Sequence, residues 1–457
     1  MKKIIFVIDN DFFVRNYIDT KVAKFLSKNF KLYFIANYSI KNKNKLFYLK
    51  NFLGFFKYSS FLQNKINIVL RQKLWTLSKK SITIKFKIKL YLRFVNYFEQ
   101  KKNINYYFKL PLFLLSYLKR LVIYFYDTSF LFSYIRYLYE KFIPINDDLD
   151  FFLNKINPDL IIYPTASDTV CKYDLMRLTK NKKIKILCLI DNWDNISSKS
   201  VVTQDNFYYG VWGQQSKDHA MSIQGIKKNK IFIIGTPRFE SYFGQKNRKI
   251  NNNFNYKYIL FLESSCRYLS ETELVPLINA ILEKNKQFKD LKLIYRPHPW
   301  RQASQLINFQ GLNKIVLDPQ LSSLYKKKKL GLNFQPDLAY YPSLIRNAEF
   351  VISGPTTMVI ESLILNKLTL LLNFEDKNDF YNPKSAIENF QHFDGIKKIK
   401  LIKLNNHKDK LENDMLNCFF YSKQIKNVSV SKQIKYYLYN DLRTYNLRLK
   451  KVINKIL

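Results

Sequence analysis

Cysteine is scarce in this 457-residue chain: Cys171, Cys188, Cys266 and Cys418 are the only four, scattered without CxxC spacing. A disulfide framework would be unusual in a chain this large, and Cys188 sits in an apolar run that reads as a strand, so buried free thiols and a reducing compartment are expected. The four histidines are equally dispersed, with no HExxH or paired-carboxylate pattern. The one obvious DxD, Asp148-Leu149-Asp150, reads as the acidic first turn of a helix. No metal and no cofactor are expected. The glycine fingerprint GxGxxG is missing after the first apolar run, and GxxxxGK[ST] is missing throughout, which excludes a dinucleotide fold signature and a P-loop. No apolar stretch approaches the roughly 20 residues that span a bilayer. Met1–Asp9 carries two lysines and then five apolar residues, too few for a signal-peptide core. The expected location is cytoplasmic, peripheral on the inner face of the cell membrane.

Acidic residues are also few. Against 76 Lys and Arg there are 35 Asp and Glu, a formal net charge of +41. The excess is uneven: between Lys41 and Ile123 there are 19 basic residues and a single acid, Glu99. Abundant Lys, Asn, Ile, Phe and Tyr match an AT-rich coding bias, but such bias does not remove glutamate. Basic residues interleaved with aromatic ones suit an anionic bilayer surface. They would also suit nucleic acid, and composition alone does not choose; no nucleic-acid partner is expected once the remaining motifs are weighed.

What is present is a repeated alternation of short apolar runs and helical patterns. Lys3–Ile8, a helical stretch to about Lys28, and Lys31–Ala36 open a parallel α/β sheet. From Lys41 to about Lys141 the pattern is long, helical, basic and aromatic, either a buried hairpin or an amphipathic layer on a membrane. Alternation resumes with strands at Leu160–Tyr163, Ile184–Ile190, Tyr208–Trp212 and Lys230–Ile234. The polar stretch Gly244–Asn255 is the expected linker. A second series follows: strands at Tyr258–Leu262, Leu291–Tyr295, Lys314–Leu317, Phe350–Ile352 and Leu368–Leu372, with helices over Glu271–Lys284 and Tyr340–Asn347. The expected fold class is α/β, with two doubly wound Rossmann-like domains. Residues 1–245 form the first, with a helical insertion at about 41–141. Residues 256–425 form the second, and 426–457 a helical tail. Such a pair places a ligand cleft at the carboxyl edges of the strands.

Three strand-exit loops of the second half carry chemistry. Ser353-Gly354-Pro355-Thr356-Thr357 opens a helix containing Glu361. Backbone N–H groups at that turn suit a phosphate, and Glu361 suits a ribose diol; an ordinary capped helix with a solvated Glu is the plainer alternative. Arg296-Pro297-His298-Pro299 is stiffened by prolines on both sides of His298, which suits a diphosphate, or is simply a kinked strand exit. Glu263-Ser264-Ser265-Cys266-Arg267 offers Ser264 and Arg267 to phosphate oxygens. In the first half, Asp191-Asn192-Trp193-Asp194-Asn195 follows a strand. Asp191 or Asp194 there suits proton transfer from an acceptor hydroxyl, with turn-forming Asx hydrogen bonds as the alternative.

The order strand–RPHP, strand–SGPTT–helix with Glu361, then a further strand resembles the donor-binding half of GT-B glycosyltransferases. It is similar in particular to the surface-carbohydrate group around CDP-glycerol glycerophosphotransferases and capsule-polysaccharide transferases. The resemblance covers Tyr258–Phe374 and, more thinly, Leu160–Phe239. It implies that His298, Ser353, Thr356, Thr357 and Glu361 hold a nucleoside diphosphate, and that Arg238 and Trp193 border the acceptor side. Where teichoic-acid polymerases have a Trp-His-Gly loop, this chain has Asp191 to Asn195 and no histidine, which favours glycosyl over glycerophosphate transfer. The implied activity is metal-independent transfer of a sugar from a nucleotide-activated donor to a glycan or lipid-linked acceptor. In it, His298 stabilises the leaving diphosphate and Asp191 or Asp194 acts as base. UDP-N-acetylglucosamine 2-epimerases share the scaffold and need no acceptor, and a basic membrane- or nucleic-acid-binding scaffold is the non-enzymatic alternative.

Overall fold

The computed structural model describes residues 1–90, 130–165, 169–180, 182–199, 205–243, 254–264, 269–299, 301, 307–326, 337–376, 381–425, 428–439, 441 and 444–457. They fall into two compact units: Met1–Gly235 together with Tyr445–Leu457, and Thr236–Thr444. Most of the expected linker, the loop residue Arg267 and the central part of the basic aromatic segment (91–129) lie outside the described residues.

The first unit is built on seven strands: β1 (Lys3–Ile8), β2 (Lys31–Asn37), β3 (Phe52–Phe56), β4 (Leu160–Thr165), β5 (Lys185–Ile190), β6 (Phe207–Val211) and β7 (Ile231–Ile233). They lie in the order β3-β2-β1-β4-β5-β6-β7, every pair parallel. The alternation of side chains along β1 explains why it reads as a continuous apolar run. Ile4, Phe6 and Ile8 enter one core with the helix Tyr445–Ile456, while Ile5 and Val7 enter another with the helix Asp147–Ile156. A strand covered on both faces has no polar side to show.

The second unit repeats the plan with six strands: β8 (Lys257–Leu262), β9 (Leu291–Arg296), β10 (Ile315–Leu317), β11 (Val351–Ser353), β12 (Thr369–Leu372) and β13 (Ile402–Asn405). Their order is β10-β9-β8-β11-β12-β13, again all parallel. The fold class is therefore the expected one, two doubly wound Rossmann-like sheets. In each sheet the strand order reverses once, between β1 and β4 in the first and between β8 and β11 in the second. Loops leaving the carboxyl ends of those strands diverge to opposite faces and leave a crevice.

Two expectations need correction, and one strand was not foreseen. The segment from Lys41 onward is not helical throughout, because Phe52–Phe56 pairs with β2 as β3. Its apolar run FLGFF is too short for periodicity to separate strand from helix, and pairing with an open sheet edge decides the matter. Gly54 accommodates this, with φ +144° and a register shift beside it. The helical stretch from Asp11 to Lys28 is broken: Val14–Asp19 is wound as a π-helix, and Lys21 takes φ +65° before a new helix, Val22–Ser27. β13 was not expected at all. On the outer side of the first unit, the helix Ser60–Thr76 and Ile143 pack with Val170 and Tyr173 through Leu62, Ile66, Val69 and Leu70. Among the described residues no helix is long and apolar enough to cross a membrane.

Candidate functional site

Three loops meet at the reversal point of the second sheet, one each from the ends of β8, β9 and β11. Glu263 and Ser264 follow β8 directly. Glu263 is fully buried and accepts four hydrogen bonds: from the His298 backbone N–H at 2.7 Å, from Arg301 Nε at 2.9 Å, from Thr272 Oγ1 at 3.0 Å, and a further bond from the Arg301 guanidinium. Arg301 is itself without exposed surface. The backbone N–H of Arg301 returns to the His298 carbonyl at 2.9 Å, so His298 and Arg301 are closed on each other and both clipped to the end of β8.

Ser264 is held by a second carboxyl. Its N–H donates to Glu271 at 2.8 Å and its hydroxyl at 2.5 Å. Burial pushes the Glu271 carboxyl up to about 8, reinforced by the charge of Glu263 beside it and only partly opposed by the Ser264 bonds and Arg301. At neutral pH it is mainly protonated, which is how two glutamates share one buried corner with one arginine. Gly354, at the end of β11, closes that corner. A Cβ there would lie 2.0 Å from Glu271 Oε1 and 2.7 Å from Ser264 Oγ. The glycine is required by a carboxyl of the protein itself, independently of any phosphate.

On the other side of His298 lies a second cluster. Arg296 is buried; burial opposes its charge, but Tyr341, Asp318 and Glu361 outweigh this and hold the guanidinium above its ordinary range. Its Nε donates to Tyr341 Oη at 3.4 Å. Asp318 accepts from Tyr340 at 2.9 Å and Tyr341 at 3.2 Å. His298, half-buried between these groups, is driven down to about 3 by burial and by the charges of Arg296 and Arg301. It is a neutral imidazole across the physiological range, so it can serve an anion as a hydrogen-bond donor but not as a counter-charge.

Glu361 sits on the helix Met358–Ile364 and is nearly buried. Arg238, expected on the acceptor side, reaches its Oε1 at 2.5 Å, and Tyr242 hydrogen-bonds its other oxygen. Ser353 is buried, with its hydroxyl turned to the Gly354 carbonyl at 2.8 Å. Thr356 and Thr357 are half-buried, and Thr357, the residue before the helix, makes no side-chain cap. The second unit thus brings together Ser264, Arg296, His298, Gly354, Glu361 and Arg238.

The aspartates of the first unit sit at the end of β5, next to but not at its sheet's reversal point. Asp191 has no exposed surface and accepts from Asn16 Nδ2 at 2.8 Å. Asp194 is half-buried and accepts from Ser198 Oγ at 2.7 Å. Trp193 is buried and its indole donates to Gln215 at 2.8 Å. At the reversal point itself stands Asp9, half-buried, oriented by Tyr163 at 2.7 Å and Asn37 at 2.8 Å.

No protein-family model matches the sequence, and no curated protein matches it. Solved structures do. The chain is similar to the UDP-GlcNAc 2-epimerase from Methanocaldococcus jannaschii, with a TM-score of 0.53 at 12% identity, over 99% of both chains. A complex of the M. jannaschii enzyme with UDP-GlcNAc and UDP gives 0.49 at 13% identity, over 99% of both chains. A glycosyltransferase from Rickettsia africae ESF-5 gives 0.48 at 12%, over 100% of this chain and 97% of the other. At 12% identity the first likeness is one of fold, and it agrees with the two Rossmann-like sheets.

Four residues at these two reversal points were not singled out from the sequence as site residues: Glu263, Glu271, Arg301 and Asp9. Glu263 and Asp9 each stand immediately after an apolar strand, where an acid is an available signal. Arg301 and Glu271 carry none, because their partners lie 38 and 7 residues away and only folding joins them.

Proposed function

We propose that the chain is a nucleotide-sugar enzyme, and within that class a GT-B-type glycosyltransferase of surface-carbohydrate synthesis that works without a metal ion. The observation that supports this best is the meeting of three strand-exit loops at the reversal point of the second sheet. A fixed guanidinium (Arg296), a neutral imidazole (His298) and the Ser353–Thr357 turn stand there together. In this reading the second unit holds the donor's diphosphate, with Arg296 and His298 stabilising charge on the leaving phosphate. Glu361 exchanges its bonds to Arg238 and Tyr242 for those of a ribose diol. In the first unit Asp194, the aspartate with solvent access, takes the proton of an acceptor hydroxyl, while buried Asp191 fixes the loop through Asn16. Trp193 and Gln215 shape that loop from beneath. The acceptor is a glycan or lipid-linked glycan at an anionic membrane surface.

The fold likeness to an enzyme named for UDP-GlcNAc makes UDP and UDP-GlcNAc the first probes. Nucleoside diphosphates are added to the full chain in EDTA and thermal unfolding is followed. A bound ligand at 100 times its Kd adds roughly 2.7 kcal/mol, and His298→Ala should lose most of that gain while unfolding at nearly the wild-type temperature without ligand. Absence of stabilisation by any nucleoside diphosphate would remove the reading. If UDP-GlcNAc alone, in heavy water, exchanges its C2 hydrogen with no acceptor present, epimerisation replaces transfer.

A further inference from the structure

We infer that Glu263 is the positioning residue of the donor site: through one buried carboxylate it fixes both ends of the His298–Arg301 turn. The inference rests on the donor reading above and names what holds that site in shape. Its ground is geometric. The His298 backbone N–H and the Arg301 side chain converge on the same two oxygens, and Thr272, from the next helical turn of the chain, converges on them too. The bond at His298 is made by the backbone, so Glu263 acts on the position of the loop and not through the imidazole.

The charge arrangement points the same way. A buried carboxylate and a buried guanidinium cancel, so the Glu263–Arg301 pair contributes little net field. Glu271, protonated next to them, adds none at neutral pH. What remains on the His298 side is the guanidinium of Arg296, balanced by Asp318 and Glu361. Glu263, neutralised by Arg301, therefore sets where the loop stands without adding net charge beside Arg296. A pair kept only for stability could be replaced by apolar groups of similar size at little cost; a pair kept for position could not be replaced without losing the turn.

That contrast is the test. Glu263→Gln or Arg301→Met alone leaves an unmatched buried group, and either variant can fail to fold. The double variant restores neutrality and should unfold near the wild-type temperature. It should nevertheless exchange its His298 and Arg301 amides at least tenfold faster than wild type, and bind UDP at least tenfold more weakly. A folded double variant with wild-type exchange and wild-type UDP affinity overturns the inference. A second measurement needs no variant: in the wild-type chain the His298 amide, although in a loop, should exchange as slowly as amides of β8 and β9. Fast exchange at His298 overturns the inference outright. If His298 is protected and the double variant loosens the turn, yet wild type binds no nucleoside diphosphate, the turn-holding role stands and the donor reading is what fails.

Discussion

Glu361 shows how a residue changes meaning between sequence and structure. On spacing alone it suits a ribose diol or is a solvated carboxylate on an ordinary capped helix; in the fold it is ion-paired to Arg238 and bonded to Tyr242, with little exposed surface. Removing it strands a largely buried guanidinium, a loss on the order of 3 kcal/mol, so Glu361→Ala reports on folding as much as on binding. Glu271 offers a cleaner reading, through pH. Its carboxyl is raised from about 4.5 to about 8 in the fold. Between those values the native state keeps a proton that the unfolded chain has released, so its contribution is full below about pH 4.5 and is lost as pH rises towards 8. The slope is about 1.4 kcal/mol per pH unit at its steepest. Glu271→Gln, which mimics the protonated form, should match wild type in stability near pH 4.5 and exceed it progressively up to pH 8. Denaturant titrations at several pH values measure this, and parallel stability curves for the two proteins would show that Glu271 is ionised in the native state.

At the scale of elements, the strands were legible and the contacts that shape the site were not. β1, β8 and β9 are apolar runs that end in polar turns, and both sheets cover their strands on two faces, so each run stands out against its flanks. β3 did not, because FLGFF lies within a longer helix-like pattern and acquires its identity from β2. The loop motifs lie at the carboxyl ends of β8, β9 and β11, where the structure brings them together. They did not show why Gly354 is a glycine: a Cβ there would meet Glu271 and Ser264. That reason can be checked. Gly354→Ala must displace the Glu271 carboxyl and the Ser264 hydroxyl, at a cost of about 1–3 kcal/mol from overpacking. Introduced beside Glu271→Ala, which vacates the space, the same change should cost much less. A double-mutant cycle in denaturant reads the difference as coupling; additive losses would mean that Gly354 is needed for another reason.

For the whole molecule the dominant feature is a net charge of +41. Coding bias cannot by itself arrange side chains in space, and the described part of the basic aromatic segment is arranged. The inner side of the helix Ser60–Thr76 packs through Leu62, Ile66, Val69 and Leu70 onto Val170 and Tyr173. Outward, Phe61, Ile68, Ile82, Tyr134, Tyr137 and Phe142 are exposed, Phe142 by as much as 79%. Lys79, Lys80, Lys85 and Lys89 are exposed in the same stretch, with Lys87 half-buried. Apolar and aromatic groups placed outward among lysines fit the interface of an anionic bilayer, where each basic side chain contributes about 1 kcal/mol and several weak signals together give stable attachment. The full chain should therefore sediment with vesicles containing anionic lipid, bind neutral vesicles much less, and detach as salt shortens the screening length. Neutralising Lys79, Lys80, Lys85, Lys87 and Lys89 together should weaken sedimentation several-fold and leave UDP binding in the second unit unchanged. Equal binding to neutral and anionic vesicles would show that the lysines are passengers and the aromatic groups act alone. Indifference to both, with binding to nucleic acid over the same salt range, would overturn the membrane reading and direct attention to a polyanion in its place.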